Sequence, residues 1–491
     1  MILHGNGLAE GSANFNFQLK VPTYKVDLLI QNFDFSPLIK LESRLNSSLQ
    51  IEGKGFNPKE INSNLSLEIK NSRLAGNEID SLTLKVNAKY NFVMNGSNID
   101  FARNFYLKEL PSNLNFSAWF RGKSFDFDNM VASAEINLFK SSVNNVEIPE
   151  SKVIVDINHE VEESKTLSFQ SDFLDWKVSG NYKLNSFNKA LQQTITVVKN
   201  EIDKRIKVFR GEKNSIAIEA KKFVKGELNS NWAKKPKVYE PFYAKYNIKF
   251  KDFNLINIFL RDFKLNLDGE VNGEFSSNGN SFNFSSKSSF QDFWLIDYEK
   301  SYRLRDAQSE ITFNVDDIYD SGDIKFSFKS DAEKMLVGSQ FEHLSIAILF
   351  NKNVLGFSFL STVDSTIFTR GEGNLTLIDS AVIADINKMT IEYKKYKITN
   401  EGSIQFSFNK DNLRFEKFIL RRKNERIKLN GELGFSGEQN LVLTAQNFEL
   451  NDIVMNFFPS FKENIEGKVL LHINISGNAK SPLINSQFDL I

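Results

Sequence analysis

Phenylalanine alternates with small polar residues along much of this chain, and that period of two decides what the chain can fold into. Phe15-Asn16-Phe17, Phe282-Asn283-Phe284, Phe326-Ser327-Phe328, Phe357-Ser358-Phe359 and Phe406-Ser407-Phe408 each put two rings on one face of an extended strand. Phenylalanine dominates the aromatic set, with 46 residues against 12 Tyr and 4 Trp. It carries no group that demands a hydrogen-bond partner, so a face built from it is wholly apolar.

The same alternation runs through aliphatic segments: Leu65, Leu67 and Ile69; Leu82 and Leu84; Ile311 and Phe313; Leu375 and Leu377; Leu441 and Leu443; Leu471 and Ile473. Turn-forming Asn, Ser, Gly and Asp separate the runs, and only 9 prolines occur in 491 residues, so few positions forbid ladder hydrogen bonds. Clean alternation predicts antiparallel sheet with one solvated face, unlike the continuous apolar runs of a parallel α/β sheet. At about twelve residues per strand and turn the chain holds on the order of 35 strands, and one unbroken ladder of them would reach roughly 170 Å.

One segment departs from this period. Leu191, Ile195, Val198, Ile202, Ile206 and Phe209 step by three and four, predicting an amphipathic helix over 188–209 that ends near Gly211. The basic stretch that follows, with Lys234-Lys235-Pro236-Lys237, reads as a linker. The expected organisation is a β segment over 1–186, the helix and linker over 187–237, and a second β segment over 238–491. The helix is expected to plug the sheet, to space two sheet segments, or to act as a gate or membrane-surface helix.

Composition removes most chemistries. The 61 basic and 61 acidic side chains cancel, so no global field selects nucleic acid or an anionic surface. No run approaches the roughly 18 apolar residues of a membrane-spanning helix. Cysteine is absent, which excludes disulfides, zinc-thiolate sites and thiol nucleophiles. His4, His159, His343 and His472 are scattered without metal-ligand spacing, and no P-loop, dinucleotide fingerprint or G-x-S-x-G occurs. The acidic run Asp316–Asp323 lacks the alternating ligands and distal Glu of a calcium loop. A non-enzymatic protein without cofactor or metal is expected. Basic clusters at Lys394-Lys395 and Arg421-Arg422-Lys423 fall at strand ends, as a solvated rim or as contacts for phospholipid headgroups.

A phrase recurs at long intervals: Asn32-Phe33-Asp34-Phe35-Ser36-Pro37-Leu38, Asp252-Phe253-Asn254-Leu255-Ile256-Asn257-Ile258 and Asn447-Phe448-Glu449-Leu450-Asn451-Asp452-Ile453. Short helical insertions are expected within 256–263 and 452–461. A glycine-punctuated strand pair follows each copy, as in Gly467-Lys468-Val469-Leu470-Leu471-His472-Ile473-Asn474-Ile475-Ser476-Gly477 and then Asn478-Ala479-Lys480-Ser481-Pro482-Leu483-Ile484. Repetition of this kind marks an array of similar sheet segments. Together with Asn71-Ser72-Arg73-Leu74-Ala75-Gly76-Asn77-Glu78-Ile79-Asp80-Ser81-Leu82, these phrases resemble the repeating units of AsmA/TamB-like envelope proteins.

The resemblance implies a long antiparallel sheet curved into a U-shaped trough in the periplasm of a Gram-negative-type bacterium. It implies inner-membrane anchoring by an N-terminal helix, phospholipid transport between the two membranes, and an outer-membrane barrel partner. Neither the anchor helix nor the terminal domain of that family is seen in the sequence, whose ends look cut from something longer. On this reading Phe15, Phe17, Leu65, Leu67, Ile69, Leu82, Leu84, Phe282, Phe284, Ile311, Phe313, Phe326, Phe328, Phe357, Phe359, Leu375, Leu377, Phe406, Phe408, Leu441, Leu443, Leu471 and Ile473 line a lipid groove. Two other readings stay open: a scaffold that offers sheet edges to outer-membrane barrel precursors, and a structural β-solenoid in which the same residues form a closed core.

Overall fold

In a computed structural model the chain is mainly antiparallel β. The structure describes residues 7–491 apart from 35, 37–41, 56–61, 75–76, 88–90, 101–111, 124–127, 144–145, 162–163, 211–239, 258–259, 261–262, 298–299, 319–323, 379 and 452–465. Gly211, the basic linker, the acidic residues 319–323 and the second expected insertion lie outside the described residues.

Thirteen strands precede the helix: β1 (Leu8–Asn16), β2 (Thr23–Asp34), β3 (Arg44–Lys54), β4 (Asn62–Leu74), β5 (Asn77–Asn87), β6 (Asn91–Ile99), β7 (Ser112–Gly122), β8 (Ala132–Leu138), β9 (Ser141–Val143), β10 (Val146–Ile148), β11 (Ser151–Val161), β12 (Ser164–Ser171) and β13 (Leu174–Asn181). Helix α1 (Leu184–Phe209) follows, then β14 (Phe242–Phe250), the single helical turn α2 (Asn254–Asn257), β15 (Phe263–Ser277), β16 (Phe282–Asp297), β17 (Ser301–Val315), β18 (Ile324–Val337) and β19 (Ser339–Asn351). The remaining strands are β20 (Val354–Val363), β21 (Ile367–Ile378), β22 (Ala381–Tyr393), β23 (Tyr396–Asn400), β24 (Ile404–Asn409), β25 (Asn412–Arg422), β26 (Glu425–Gly434), β27 (Glu438–Glu449), β28 (Lys468–Asn478) and β29 (Leu483–Leu490). The described strands number 29, fewer than the length-based expectation, because many run past ten residues.

The chain divides into two compact units, one of 1–185, 244–272 and 295–298, the other of 186–243, 273–294 and 299–491. In the first unit β1 to β8 pair each with the next, and β8 continues through β11, β12 and β13. The β9–β10 hairpin attaches beside the start of β7. In the second unit β17 to β22 pair in succession and β24 to β29 do likewise, with β22 pairing β24 and the short β23 fitted between β22 and β25. Every pairing named is antiparallel, as the alternation predicts.

The recurring Asn-Phe phrase has a backbone cause in two of its copies. Asn32 and Asn447 sit at φ of 48° and 59° inside register shifts, and asparagine tolerates this left-handed conformation better than branched residues do. Polar side chains replace the ladder bonds that such bulges remove. The Asn32 amide donates to Asn46 Oδ1 (2.7 Å), the Asn46 amide to Ser72 Oγ (2.8 Å), and Ser72 Oγ to the Lys70 carbonyl (2.9 Å). The arrangement repeats further on: Asn98 to Asn115 Oδ1 (2.9 Å), Asn115 to Ser141 Oγ (2.9 Å), and Ser141 Oγ to the Phe139 carbonyl (2.7 Å).

Helix α1 starts four residues earlier than its apolar spacing suggests. Its first amide, that of Leu184, donates to the Asp128 carboxylate (2.7 Å), which caps the positive end of the helix dipole. The packing face also differs from expectation. Ala190, Thr194, Val197 and Glu201 are buried, whereas Ile195, Ile202 and Ile206 are 57%, 51% and 42% exposed. Small side chains let the helix approach the strands closely, and the larger isoleucines are left on its open side.

Candidate functional site

Strand register turns the local alternation into long apolar rows. In the first unit Ala13, Val26, Ile51, Leu65, Val86, Phe92, Phe120, Ala134, Val155, Phe169 and Trp176 stand directly opposite one another on successive strands. Directly paired residues point to the same side of a sheet, so these eleven form one apolar line. At about 4.8 Å per strand it runs roughly 48 Å. Beside it lie Leu28, Leu49, Leu67, Leu84, Met94, Ala118, Ile136 and Val153, and beyond them Ile30, Ser47, Ile69, Leu82, Gly96, Phe116 and Leu138. None of these three rows contains a charge.

The second unit repeats the design. Phe313, Phe326, Phe350, Leu355, Leu375, Ala384, Phe406, Phe415, Gly431, Leu441, Ile475 and Ile484 make a line across twelve strands, about 53 Å by the same spacing. A parallel row holds Ile311, Phe328, Ile348, Phe357, Gly373, Ile386 and Ile404. Gly431 has no side chain to add because φ is 113° and a β-carbon there would collide with the Asn440 carbonyl oxygen.

The opposite faces carry polar and charged rows, with single apolar residues such as Val93 and Leu349 among them. Ser48, Glu68, Thr83, Asn95, Ser117, Asn137 and Lys152 form one outer row, and Glu310, Lys329, Ala347, Ser358, Glu372 and Lys388 form another.

Burial along the apolar rows is mostly intermediate. In the eleven-residue row no residue is buried, and in the twelve-residue row only Ala384 and Leu441 are. Inward-facing side chains of a closed sandwich are covered by a second layer about 10 Å away. Here most members of the two rows are half-covered, between buried and exposed. Ring contacts run along the rows, with Phe92 and Phe120 stacked at 5.1 Å and Phe406 and Phe415 at 6.2 Å between centroids.

The groove residues expected from sequence fall on these faces. Leu65, Leu67, Ile69, Leu82 and Leu84 share the apolar face of the first unit, where Phe15 pairs with Tyr24 at its β1 margin. Phe17 lies just past β1, 67% exposed and stacked on Phe15. In the second unit Ile311, Phe313, Phe326, Phe328, Phe357, Leu375, Phe406 and Leu441 occupy the two rows above. Phe359 continues the side of Phe357; Leu377 and Phe408, Leu443 and Ile473, and Leu471 occupy flanking rows of the same face. Phe282, buried, meets Phe313 with ring centroids 6.5 Å apart, and Phe284 is two residues along the same strand. Among those overlooked are Phe92, Phe120, Phe169, Phe350 and Phe415. Alternation was present at Phe92-Val93-Met94 and Val153-Ile154-Val155, but apolar residues also at the intervening positions blurred it.

Helix α1 borders the apolar face of the second unit. Phe187 packs on Phe275 and Phe242 (4.7 and 5.9 Å between centroids), the Arg205 guanidinium lies 5.2 Å over the Phe350 ring, and Phe209 meets Phe408 at 6.0 Å. Gln193, on the other flank of the buried stripe, donates to the Ile318 carbonyl (3.2 Å) in the turn after β17. Around the helix the order is therefore Gln193 toward the strand ends, the buried small residues, Arg205 and Phe209 toward the apolar rows, and then the isoleucine stripe. That order puts Ile195, Ile202 and Ile206 beyond Phe209, on the side of the helix away from its buried stripe.

Lys395 of the first basic cluster and Arg421, Arg422 and Lys423 of the second line one depression of about 540 Å³ with Tyr396, Lys397, Thr399 and Glu449. At a margin of the first unit, Tyr182 is buried, its hydroxyl has no hydrogen-bond partner among the described residues, and burial pushes its phenol up to about 12. The Lys165 ammonium lies 5.7 Å from the Tyr182 ring centroid. Among the described residues no group of His, Asp or Glu is arranged to hold a metal, and no helix is long and apolar enough to cross a membrane. Searches against protein-family models, curated proteins and solved structures return no match to this chain.

Proposed function

We propose that this chain is a non-enzymatic carrier of lipid acyl chains, an AsmA/TamB-like segment that moves phospholipid through the periplasm along its apolar sheet faces. The observation that supports this reading most is the combination of length and incomplete burial: charge-free rows across eleven and twelve strands, most of whose residues are half-covered and few of which are buried. An apolar face of this length left partly open to water carries a free-energy cost that an apolar occupant relieves.

An acyl chain fits that role. Moving a sixteen-carbon tail through water costs roughly 12 kcal/mol at about 0.8 kcal/mol per methylene, and contact with a continuous apolar row removes most of that cost. The attraction is non-directional, so a tail slides from one strand to the next without a fixed site. The polar outer rows keep such a sheet dispersed. Lipid extraction and mass spectrometry of gently purified protein test the reading: bound phospholipid is expected, and protein free of lipid under conditions that preserve its fold contradicts it.

A further inference from the structure

Lys395 and Lys397 belong to the β22–β23 hairpin, and Arg421, Arg422 and Lys423 to the end of β25 and the turn beyond it. The insertion of β23 between β22 and β25 brings them together, with Tyr393 paired to Tyr396 and Thr399 to Arg421. Tyr396 is the wall they share: the Arg422 guanidinium lies 4.6 Å and the Lys395 ammonium 5.2 Å from its ring centroid.

Carboxylates are present but outnumbered. Glu425 pairs with Arg422, Glu392 with Lys397 (2.6 Å), and Glu449 stands in the wall, against five cationic side chains. The Arg422–Glu425 pair, both members largely buried, fixes the guanidinium on Tyr396. Arg421 donates through Nε to the Lys423 carbonyl (2.6 Å), which holds the turn that presents Lys423. The result is an open, preorganised cationic depression rather than a scatter of surface lysines.

Its position gives the ligand class. Ile398 pairs with Ile391, and Leu420 pairs with Ile427 in a row that continues through Ala445, Leu471 and Phe488 on the apolar face. Arg422 is two residues beyond Leu420 on that same side. Arg421 and Lys397 alternate to the other face, so the depression wraps the strand-end margin where the apolar face stops, with Tyr396 and the Glu425-paired Arg422 on the apolar side and the remaining cations around the edge. Such a margin matches an amphiphile whose anionic group is joined to hydrocarbon.

We propose that this depression binds the phosphodiester of a phospholipid headgroup while the acyl chains of the same molecule lie on the adjoining apolar rows. The proposal rests on the acyl-chain reading above. Charge-assisted bonds to phosphate from Lys395, Arg421 and Lys423 supply the headgroup contact, and Tyr396 marks the boundary between the two zones.

Calorimetric titration of the whole chain with dihexanoyl-phosphatidylglycerol below its micelle concentration tests this, beside inorganic phosphate and uncharged dihexanoylglycerol. The R421E/K423E variant is expected to bind the phosphatidylglycerol about tenfold more weakly and dihexanoylglycerol unchanged, with inorganic phosphate far weaker than the lipid on the native chain. Circular dichroism and the melting temperature establish that the variant folds, and K395Q gives a milder second case. Unchanged phosphatidylglycerol affinity in both variants overturns the headgroup site and leaves the acyl-chain reading standing. Inorganic phosphate binding as tightly as the lipid also overturns it, in favour of a free-phosphate site. Failure of the native chain to bind dihexanoylglycerol overturns the acyl-chain reading instead.

Discussion

Phe406 and Phe415 face each other across neighbouring strands with ring centroids 6.2 Å apart, while Ser407 and Arg414 face each other on the other side of the same pair. The relationship condenses the whole design: one residue of offset separates hydrocarbon from water. Because neither ring is buried, Phe406→Ala is expected to lower stability by less than about 2 kcal/mol, against the 3–5 typical of a phenylalanine in a closed core. Urea unfolding checks this, and a loss in the closed-core range would mean that the rings are packed as a core.

The bulge clamps give a second expectation. Ser72 and Ser141 make equivalent hydrogen bonds to Asn46 and Asn115, each 26 residues away in sequence. Ser72→Ala and Ser141→Ala should therefore each destabilise by about 1–2 kcal/mol and add in the double variant, as measured by denaturant midpoint.

Helix α1 holds a buried carboxylate against an apolar surface. Glu201 accepts from Arg205 Nε (2.9 Å), and Arg205 is itself laid over Phe350. Removing Arg205 as Ala leaves that carboxylate with only the more distant Lys204 ammonium (3.8 Å) and should cost about 2–3 kcal/mol, whereas Glu201→Leu with Arg205→Met should be neutral or stabilising. Thermal melts of the two variants distinguish these outcomes.

Tyr182 makes stability sensitive to alkali. Its phenol ionises at about 12 in the folded chain and near 10 when unfolded. Between those values the unfolded state has lost a proton that the folded state retains. Stability from this group is therefore complete below pH 10 and declines as pH rises from 10 to 12, by about 2–3 kcal/mol. The difference in unfolding free energy between the native chain and Tyr182→Phe, followed over that range, should show this slope; parallel curves would contradict it.

Isoleucines 195, 202 and 206 are expected to contribute to lipid contact and not to folding. Their replacement together by Ser should leave the melting temperature within a few degrees while reducing the phospholipid that copurifies. Loss of the fold would show that the stripe is a packing surface after all.

Much of the sheet was legible in the sequence because period-two alternation is a local signal. Residues such as Phe357 and Leu375 could be placed on one face from their neighbours alone. The register that brings Phe326 opposite Phe350 is nonlocal, fixed by turn lengths and bulges, so the unbroken rows were not legible. Helix α1 shows a different limit. Its strongest apolar spacing, Ile195 to Ile206, pointed to a packing face, yet close approach to the strands selected the small Ala190, Thr194 and Val197. The joining of Lys395 to Arg421 depends on β23, a five-residue strand between two longer ones, which the sequence does not announce.

The central claim is that acyl chains touch one side of the sheet. Its most direct measurement is photocrosslinking of the folded chain with a phospholipid bearing a diazirine in its acyl chain, followed by peptide mapping. Label is predicted on Phe326, Phe350, Phe406 and Phe415 and absent from their neighbours Ser327, Ser407 and Arg414. Equal labelling of the two faces, or label confined to sites off the apolar rows, would contradict the account.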